Sequence, residues 1–401
     1  MMDEYKGIAP KGDLLLLRKL GGVFAGKSFL HVNSTREGGG VAEILHRAIP
    51  IMESLGIKVR WEVLTGDAKF FDITKKIHNA LQGHPEAFTP DMWAYHEEIN
   101  RKSTLDLGAD CVYIHDPQPA PLVQRREGGT WVWRCHIDVS APQKDVWQSL
   151  KLFCERYDGA VFSIAKFARS MPLPEFIIPP SIDPVSDKNR ELSGREIRDS
   201  MDKLQVPLDR PMLLQVSRFD RFKDPIGVIN AYRLVKKYND CILVLAGSPA
   251  TDDPEGAAVL NEVKEYASGD PDITILLLPP FSDREINALQ RAATVVLQKS
   301  LKEGFGLTVS EAMWKEKPVL GGAVGGIPLQ IVHGLTGFLV HSSEGAAFRI
   351  RQLLNNPAMA KRLGERGKEH VRANFLITRE VRDYLSTWYS LVNPNKNILE
   401  L

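Results

Sequence analysis

Two glutamates flank a glycine-containing segment in the C-terminal half of the chain. Glu303 and Glu311 lie eight residues apart in the sequence EGFGLTVSE. The segment follows an apolar run that ends near Gln298, and its pattern predicts a loop leading into a helix. A carboxylate can accept hydrogen bonds from two vicinal hydroxyls, and loop amides at 304–307 are suited to a diphosphate. The segment therefore fits either a sugar-phosphate-binding loop or a pair of surface glutamates beside a helix start.

A basic loop follows the first predicted strand of the C-terminal half. Its sequence, SRFDRFKD at 217–224, contains Arg218 and Lys223. Arginine offers a planar fork to phosphate oxygens, and lysine offers a compact positive charge. Asp224 and Pro225 then predict a helix start, with the aspartate as cap and the proline in the first turn. The loop fits phosphate binding, and it also fits a solvated basic surface.

Three glycines at 38–40 directly precede a predicted helix at 41–55. They belong to the sequence REGGGVA, which begins at Arg36. Glycine allows a close approach of backbone to ligand, and the amides at a helix start favour anionic groups. A flexible connection between strand and helix is the alternative interpretation.

The segment GGVFAGKS at 21–28 satisfies the phosphate-loop pattern G-x4-G-K-[ST]. That mechanism requires a helix to begin at the lysine and serine, so that its amides hold the phosphate. The residues that follow, FLHVN, read as a strand instead. We therefore expect a polar turn that leads into the first strand. The alternative, a P-loop NTPase, would show NTP hydrolysis that is lost on Lys27→Ala.

Two histidines end predicted strands of the N-terminal half. His115 is followed by Asp116 and Gln118 in the sequence HDPQ, and His136 by Asp138 in the sequence CHID. A single histidine at such a position is more often structural than catalytic. Two at the same edge of a sheet favour a functional site. Trp131 and Trp133, in the predicted strand that ends at His136, are interpreted as core residues.

Alternating strand and helix patterns position these segments. Strands are predicted at 28–33, 57–63, 110–115, 130–136, 159–164, 212–217, 241–247, 273–279, 294–298 and 318–321. Helical patterns lie between them, and one opens with the capping-box sequence SDRE at 282–285. Such alternation predicts parallel sheets covered by helices on both faces. Residues 357–392 read as helical throughout.

The length of the chain predicts two domains. Its 401 residues exceed the roughly 250–300 at which one hydrophobic core stops growing. The prolines of FIIPPSIDP at 176–184 can continue neither a helix nor a central strand, so the boundary is predicted there. We predict an N-terminal domain at 1–180 and a second at 185–376, with a C-terminal helix at 377–401 packing back on the first. Ligands of such doubly wound domains bind at the carboxyl ends of the strands.

Composition excludes several classes of partner. Lys and Arg number 51 against 50 Asp and Glu, so no basic field favours nucleic acid. The apolar runs are far shorter than the roughly 20 residues that span a bilayer, and the N-terminus lacks a basic-then-apolar leader. The four cysteines have no CxxC spacing. They are interpreted as buried free thiols of a reducing compartment, and we expect a cytoplasmic protein without nucleic-acid or membrane partners.

Together these motifs resemble those of retaining nucleotide-sugar glycosyltransferases of the GT-B type. The resemblance covers essentially the whole chain and implies an α/β fold of two doubly wound Rossmann-like domains facing across a cleft. It is carried by the E-x7-E motif, the basic pair, the glycine run, and the segments GGIP at 325–328 and HGLTGFLV at 333–340. The segments HVNSTREGGGVAEIL, HDPQ, CHID and SRFDRFKD are similar to those of trehalose glycosyltransferring synthases and the related trehalose phosphorylases.

The resemblance implies a role for each matching residue. Arg218 and Lys223 would neutralise the departing diphosphate, and Glu303 would bind hydroxyls of the donor glucose. His136 would contact the same glucose, and these four are the implied catalytic residues. Glu311 would hold the nucleotide ribose. The other implied donor-binding residues are Gly304, Phe305, Gly306, Leu307, Gly39 and Gly40, and the implied acceptor residues are Glu37, Asp116, Gln118 and Asp138.

The same resemblance implies a reaction. In that family NDP-glucose and glucose give α,α-trehalose and NDP reversibly, whereas a trehalose phosphorylase uses inorganic phosphate. No obligatory cofactor or resident metal is implied, and Mg²⁺ would bind through the nucleotide diphosphate. NDP-glucose, glucose and trehalose are the implied ligands, and a second copy of the chain is a candidate partner. A further alternative, from a different class of function, is a non-catalytic two-lobed sugar-binding protein. Such a protein would form no product from NDP-glucose.

Overall fold

The computed structural model describes residues 2–36, 39–247 and 254–395. The described strands are β1 (Ser28–Asn33), β2 (Lys58–Val63), β3 (Cys111–His115), β4 (Thr130–Cys135), β5 (Gly159–Phe162), β6 (Glu175–Ile177), β7 (Met212–Val216), β8 (Ile242–Gly247), β9 (Ile273–Leu277), β10 (Val295–Gln298), β11 (Val319–Gly322) and β12 (Phe338–Val340). The described helices are α1 (Lys11–Phe24), α2 (Gly39–Ser54), α3 (Ala68–Leu81), α4 (Pro90–Lys102), α5 (Lys144–Cys154), α6 (Gly194–Lys203), α7 (Pro225–Lys236), α8 (Pro254–Ala267), α9 (Asp283–Ala292), α10 (Leu307–Trp314), α11 (Ile327–Gln330), α12 (Ser343–Leu354), α13 (Pro357–Asn374) and α14 (Ile377–Val392). Short 3-10 turns occur at Met2–Tyr5, Ala120–Arg125, Ala165–Phe167 and Arg221–Lys223. The predicted alternation of strand and helix is confirmed.

The chain forms two compact units. Unit 1 comprises the described residues of Met1–Ser181 and Ile377–Leu401, and unit 2 comprises those of Ile182–Leu376. The first division falls within the proline-rich stretch 176–184, and the second falls between α13 and α14.

Unit 1 contains a six-stranded parallel sheet. Its strand order is β2-β1-β3-β4-β5-β6. The chain therefore builds the sheet in one direction from β1 to β2 and in the other from β3 onward. Open parallel sheets bind ligands where this reversal occurs, beyond the carboxyl ends of the strands. In unit 1 that point lies beyond β1 and β3.

Unit 2 contains a second six-stranded parallel sheet with the order β12-β11-β10-β7-β8-β9. Here the order reverses between β7 and β10, which pair in parallel with Val296 opposite Leu214. The loops that follow β7 and β10 are therefore neighbours at the carboxyl edge of the sheet. These two loops contain the basic pair and the first glutamate of the E-x7-E motif.

Helix α14 belongs to unit 1 although it follows unit 2 in the sequence. It packs on α1, α2 and β4, and Trp388 stacks on Phe24 with ring centroids 3.8 Å apart. Its Glu380 lies 3.9 Å from Arg134 of β4, and neither side chain is exposed to solvent. The prediction of one continuous helix at 357–392 is wrong, because the chain leaves the helical conformation between Asn374 and Ile377.

Local capping agrees with the sequence at one helix and differs at another. Asp224 caps α7 by accepting from the amide of Gly227 at 3.0 Å, as predicted. The predicted capping box at 282–285 is wrong, although α9 does begin there. The Ser282 hydroxyl donates instead to the carbonyl of Pro279 at 2.8 Å. The Glu285 carboxylate pairs with Lys203 rather than with the cap.

Predictions about two sets of buried side chains are confirmed. Cys111, Cys135, Cys154 and Cys241 are buried and unpaired. Trp131 and Trp133 are core residues of β4, with 1% and 0% of their surface exposed. Among the described helices, none is long and apolar enough to cross a membrane.

Candidate active site

An ion pair joins the two loops at the reversal point of unit 2. Lys223 Nζ lies 2.8 and 2.7 Å from the two carboxylate oxygens of Glu303. The side chains are 18% and 7% exposed, so the pair is largely shielded but reachable from one side. Gln298 and Ser300 donate to the same carboxylate at 3.2 and 3.1 Å. A cation and a carboxylate are therefore fixed in contact at the carboxyl edge of the sheet, where open parallel sheets bind their ligands.

The backbone around Lys223 is held from several directions. The 3-10 turn that contains Lys223 is capped by Asp220, whose carboxylate accepts from the Phe222 amide at 2.7 Å. Gln215 of β7 donates to the Lys223 carbonyl at 2.7 Å. Asp224 adopts φ +52° as it caps α7, and Lys299 forms an ion pair with its carboxylate. Strand, turn and helix thus position the ammonium before any ligand is present.

Arg218 follows β7 at the same edge of the sheet and is exposed. Its side chain is 66% exposed, and its guanidinium forms a 3.8 Å ion pair with Asp220. A screened surface pair of this length holds a side chain weakly. Arg218 can therefore turn toward an anion, whereas Lys223 already forms a close ion pair with Glu303.

The loop after Glu303 adopts a conformation that requires glycine. Gly306 has φ +79° and caps α10, and a Cβ there would lie 3.1 Å from Cγ of Glu303. Gly325 has φ +55°, and a Cβ would lie 1.7 Å from the Glu303 carbonyl oxygen. The Gly326 amide donates to the carbonyl of Gly304 at 2.8 Å. Gly325 and Gly326 of the GGIP segment therefore pack directly against the backbone of the glycine loop.

The remaining residues of this loop are placed differently. Phe305 is 7% exposed and packs edge-on against Phe375, so its side chain is part of the core. Gln330 donates to its carbonyl. Gly304 is exposed, and a Cβ there would meet no atom within 4 Å. Leu307 is the first residue of α10, so its amide lies in the first helical turn.

Glu311 lies on the second turn of α10 and is 5% exposed. Its carboxylate is 3.4 Å from Gln290 Nε2 and 3.8 Å from Lys188 Nζ. Lys315 lies one turn further on, and its buried ammonium donates to the Glu311 carbonyl at 3.1 Å and to Asn189 at 2.8 Å. Burial lowers the pKa of Lys315 to about 7. Glu311 is thus a shielded acceptor with polar neighbours, separate from the Lys223–Glu303 pair.

In unit 1, His136 and His115 are in hydrogen-bond contact. His136 Nε2 lies 2.9 Å from His115 Nδ1, and His115 Nε2 lies 3.0 Å from His31 Nδ1. His31 is on β1, and the sequence prediction missed it because one histidine inside an apolar strand carries no local signal. Asp116 has φ +67° and accepts from the His136 amide at 2.8 Å. Burial raises the pKa of Asp116 to about 6.

The other residues predicted in unit 1 are not part of this cluster in the described structure. The Gln118 carbonyl accepts from His96 at 2.9 Å and from Asn100 at 3.1 Å. The Asp138 carboxylate accepts from the Ser140 amide at 2.8 Å. Gly39 and Gly40 begin α2, while Glu37 lies outside the described residues.

The phosphate-loop pattern at 21–28 does not form a phosphate loop. Its first residues are the end of α1, and Ser28 begins β1, so the order is helix, turn and strand. Lys27 pairs with Asp110 at 3.2 Å, and the same carboxylate accepts from the Ser28 amide at 2.8 Å. These residues lie at the amino end of the sheet, whereas an anion site of this kind needs a strand followed by a helix start.

Comparison with known proteins agrees with this architecture. The family model "Glycosyl transferases group 1" matches residues 196–370. A sucrose-phosphate synthase from Thermosynechococcus elongatus has a similar structure, with TM-score 0.71 and 19% identity over 92% of this chain and 100% of that one. The two parallel-sheet units and these matches define a glycosyltransferase of the GT-B fold.

The N-terminal unit narrows the class further. The model "Trehalose synthase, N-terminal domain" matches residues 31–169. The trehalose synthase of Thermococcus litoralis is 45% identical over 393 residues, which cover 96% of this chain and 95% of the relative. The trehalose phosphorylase of Grifola frondosa is 29% identical over 86% of this chain and 54% of its own length. The chain belongs to the trehalose synthase family, and it is a glycosyltransferase of trehalose metabolism.

Proposed function

We propose that this glycosyltransferase moves glucose from an NDP-glucose, with ADP or UDP as the nucleotide, to free glucose and so forms α,α-trehalose reversibly. The observation that carries the proposal is the Lys223–Glu303 pair at the reversal point of unit 2. A sugar diphosphate presents anionic oxygens beside sugar hydroxyls, which a cation and a carboxylate in contact can bind together. The identity of 45% with a trehalose synthase, against 29% with a phosphorylase, favours a nucleotide over phosphate.

Donor binding exchanges the partners of this pair. Without ligand the ammonium and the carboxylate neutralise each other at 2.7 Å. A bound sugar diphosphate offers Lys223 a phosphate oxygen and offers Glu303 hydroxyl donors, so each charge keeps a partner. Arg218 adds a second positive charge to the diphosphate. The amides of residues 304–307 add neutral donors at the start of α10.

We assign the transfer a front-face course that retains the anomeric configuration. Retaining hydrolases use a nucleophilic carboxylate with a second carboxyl about 5 Å away. The candidate carboxylates of unit 1, Asp116 and Asp138, each accept from a backbone amide instead. The bond from C1 to the phosphate oxygen breaks as the acceptor oxygen bonds to C1 on the same face, and the acceptor proton passes to the leaving phosphate. Catalysis then rests on fixed charges aimed at the leaving group.

Unit 1 contributes His136 as a hydrogen-bond partner of a sugar substrate. We propose Mg²⁺ only as a counterion of the diphosphate, since phosphate oxygens and water suit that ion. Within the described residues no group of three or more His, Cys, Asp and Glu could hold a metal. No step of the proposed reaction uses one.

Incubation with glucose and a panel of NDP-glucoses, with the product linkage read by NMR, tests the proposal. We expect α,α-trehalose and NDP with ADP-glucose or UDP-glucose, and release of glucose from trehalose when NDP is added. Cleavage of trehalose with inorganic phosphate but not with NDP would assign the phosphorylase reaction instead. Binding of glucose without any product would contradict both enzymatic assignments.

A further inference from the structure

Three imidazoles form a hydrogen-bonded row through unit 1. The row runs from His136, just beyond β4, through His115 on β3 to His31 on β1, with nitrogen–nitrogen distances of 2.9 and 3.0 Å. His115 and His31 are 1% and 0% exposed, while His136 is half-buried. Only His136 therefore reaches the surface, and its Nδ1 is the ring nitrogen that the row does not use.

The geometry couples the tautomers of the three rings. Each gap joins the Nε2 of one ring to the Nδ1 of the next, and each gap needs one N–H. A neutral imidazole has one N–H, so if His115 carries it on Nδ1, both neighbours must carry theirs on Nδ1. If His115 carries it on Nε2, both neighbours must do the same. Three neutral rings in this row therefore share one tautomer.

Burial keeps the rings neutral. It lowers the pKa of His31 to about 3 and the pKa values of His115 and His136 well below that of free histidine. The positive charge of Arg134 on β4 acts in the same direction on His115 and His136.

The buried end of the row selects between the two tautomers. His31 Nε2 has no hydrogen-bond partner among the described residues. The ring lies among aromatic side chains, with Phe29 at 4.7 Å and Tyr384 at 6.1 Å between centroids. Buried N–H groups without a partner are rarer in proteins than unsatisfied acceptors. The Nδ1–H form leaves a lone pair, rather than an N–H, at this closed end.

We propose that His115 and His31 are positioning residues that hold His136 as a neutral hydrogen-bond donor at Nδ1. The donor would face an oxygen of the sugar substrate, and this part of the inference rests on the proposed function. A hydrogen bond at one nitrogen of an imidazole determines whether the other nitrogen carries the proton. The row therefore sets the proton position on His136 while all three rings stay neutral. His136 then cannot remove a proton from the acceptor hydroxyl through Nδ1. This agrees with a course in which the leaving phosphate takes that proton.

Histidine-selective ¹⁵N labelling and long-range ¹H–¹⁵N correlation spectra of the whole protein test the tautomer directly. We expect His31, His115 and His136 to show a protonated Nδ1 and an unprotonated Nε2. His96 is an internal reference of the opposite kind, because its Nε2 lies 2.9 Å from the Gln118 carbonyl and must carry the proton. A protonated Nε2 on His136, or different tautomers among the three rings, would overturn the proposal whether or not the protein is active.

A pair of variants tests the role of the row in catalysis. His115→Leu removes the donor to His136, and we expect averaged ¹⁵N shifts for His136 and a fall in kcat/KM of about tenfold, as for one neutral hydrogen bond. His115→Asn keeps a side-chain N–H near the position of Nδ1, and we expect it to restore both the His136 tautomer and activity to within about twofold. Equal losses in both variants, or an unchanged His136 tautomer in His115→Leu, would contradict the positioning role. Absence of trehalose formation from NDP-glucose and glucose in the wild type would instead contradict the proposed function and leave the spectroscopic result standing.

Discussion

At the scale of single residues, the candidate site of unit 2 is an ion pair of intermediate burial. Lys223 and Glu303 are 18% and 7% exposed and meet at 2.7 Å. A pair buried without access would be a structural element, and a fully exposed pair would be screened by water and salt. The intermediate burial limits screening of the two charges by water. It still lets a ligand reach both side chains and replace their contact with each other.

Replacement of Lys223 by alanine removes the cation that we propose neutralises the leaving group. We expect turnover at saturating donor to fall by roughly 10²- to 10³-fold, as on loss of one preorganised donor. Steady-state kinetics with NDP-glucose and glucose measure the effect. Lys361→Ala is the control, since that lysine forms an exposed i,i+4 pair with Glu365. Near-normal turnover of Lys223→Ala would remove Lys223 from the mechanism.

Replacement of Glu311 by alanine tests the assignment of this residue to the nucleotide ribose. We expect the KM for NDP-glucose to rise by at least about tenfold, the effect of losing a hydrogen bond to a charged group. Glu316→Ala is the matched control, because Glu316 follows the same helix and its side chain is 50% exposed beside Lys368. An unchanged donor affinity in Glu311→Ala would show that the ribose binds elsewhere.

At the scale of elements, loops at the carboxyl ends of β7 and β10 do the positioning. Each loop leads into a helix whose first turn is set by a residue in the left-handed region, Asp224 for α7 and Gly306 for α10. A left-handed residue turns the chain sharply from strand exit to helix start. The lysine and the glutamate are therefore placed by backbone geometry as well as by their own contacts.

Substitution of Gly306 by alanine tests this backbone role. Its φ of +79° costs an L-residue about 1–2 kcal/mol, and the new Cβ would lie 3.1 Å from Cγ of Glu303. We expect a lower free energy of unfolding in urea and a weakened Lys223–Glu303 contact, seen as reduced kcat. Gly304→Ala is the stability control, because a Cβ there meets no atom within 4 Å. Equal stability of the two variants would show that the loop can adopt another conformation.

At the scale of the whole molecule, unit 1 is stabilised by neutral, buried imidazoles. Burial lowers the pKa of His96 from 6.5 to about 4 and that of His31 to about 3. Below pH 6.5 the unfolded chain binds protons on these rings that the folded chain does not bind. Stability is therefore complete above pH 6.5 and is lost as the pH falls toward the folded-state values.

Urea unfolding at pH 7 and pH 5 measures this dependence. We expect His96 alone to account for about 2 kcal/mol of the decrease in unfolding free energy between these pH values. His96→Gln can keep the bond to the Gln118 carbonyl without a titrating ring. The variant should therefore lose less stability on acidification than the wild type by that amount. Identical pH dependence of the two proteins would contradict the low pKa of His96.

The sequence by itself determined most of the local structure and the order of strands and helices along the chain. Periodic apolar residues are a local signal, so strands and helices such as β1, β7 and α7 could be predicted where they occur. The same signal argued against a phosphate loop at 21–28, because a strand follows Lys27. It failed where tertiary contacts override local preference, as at Ser282, whose hydroxyl bonds to the Pro279 carbonyl, and between α13 and α14.

Only the tertiary structure decided which of the predicted residues meet. Lys223 and Glu303 are 80 residues apart, and they touch because the strand order brings β7 beside β10. Strand order in unit 1 likewise joins His31 of β1, His115 of β3 and His136, which follows β4. Packing of α14 on the sheet brings Glu380 near Arg134 of β4. Periodicity along the chain reports whether a residue faces a core. It does not report the partner, because partners across a sheet depend on strand order and register, which are properties of the folded chain.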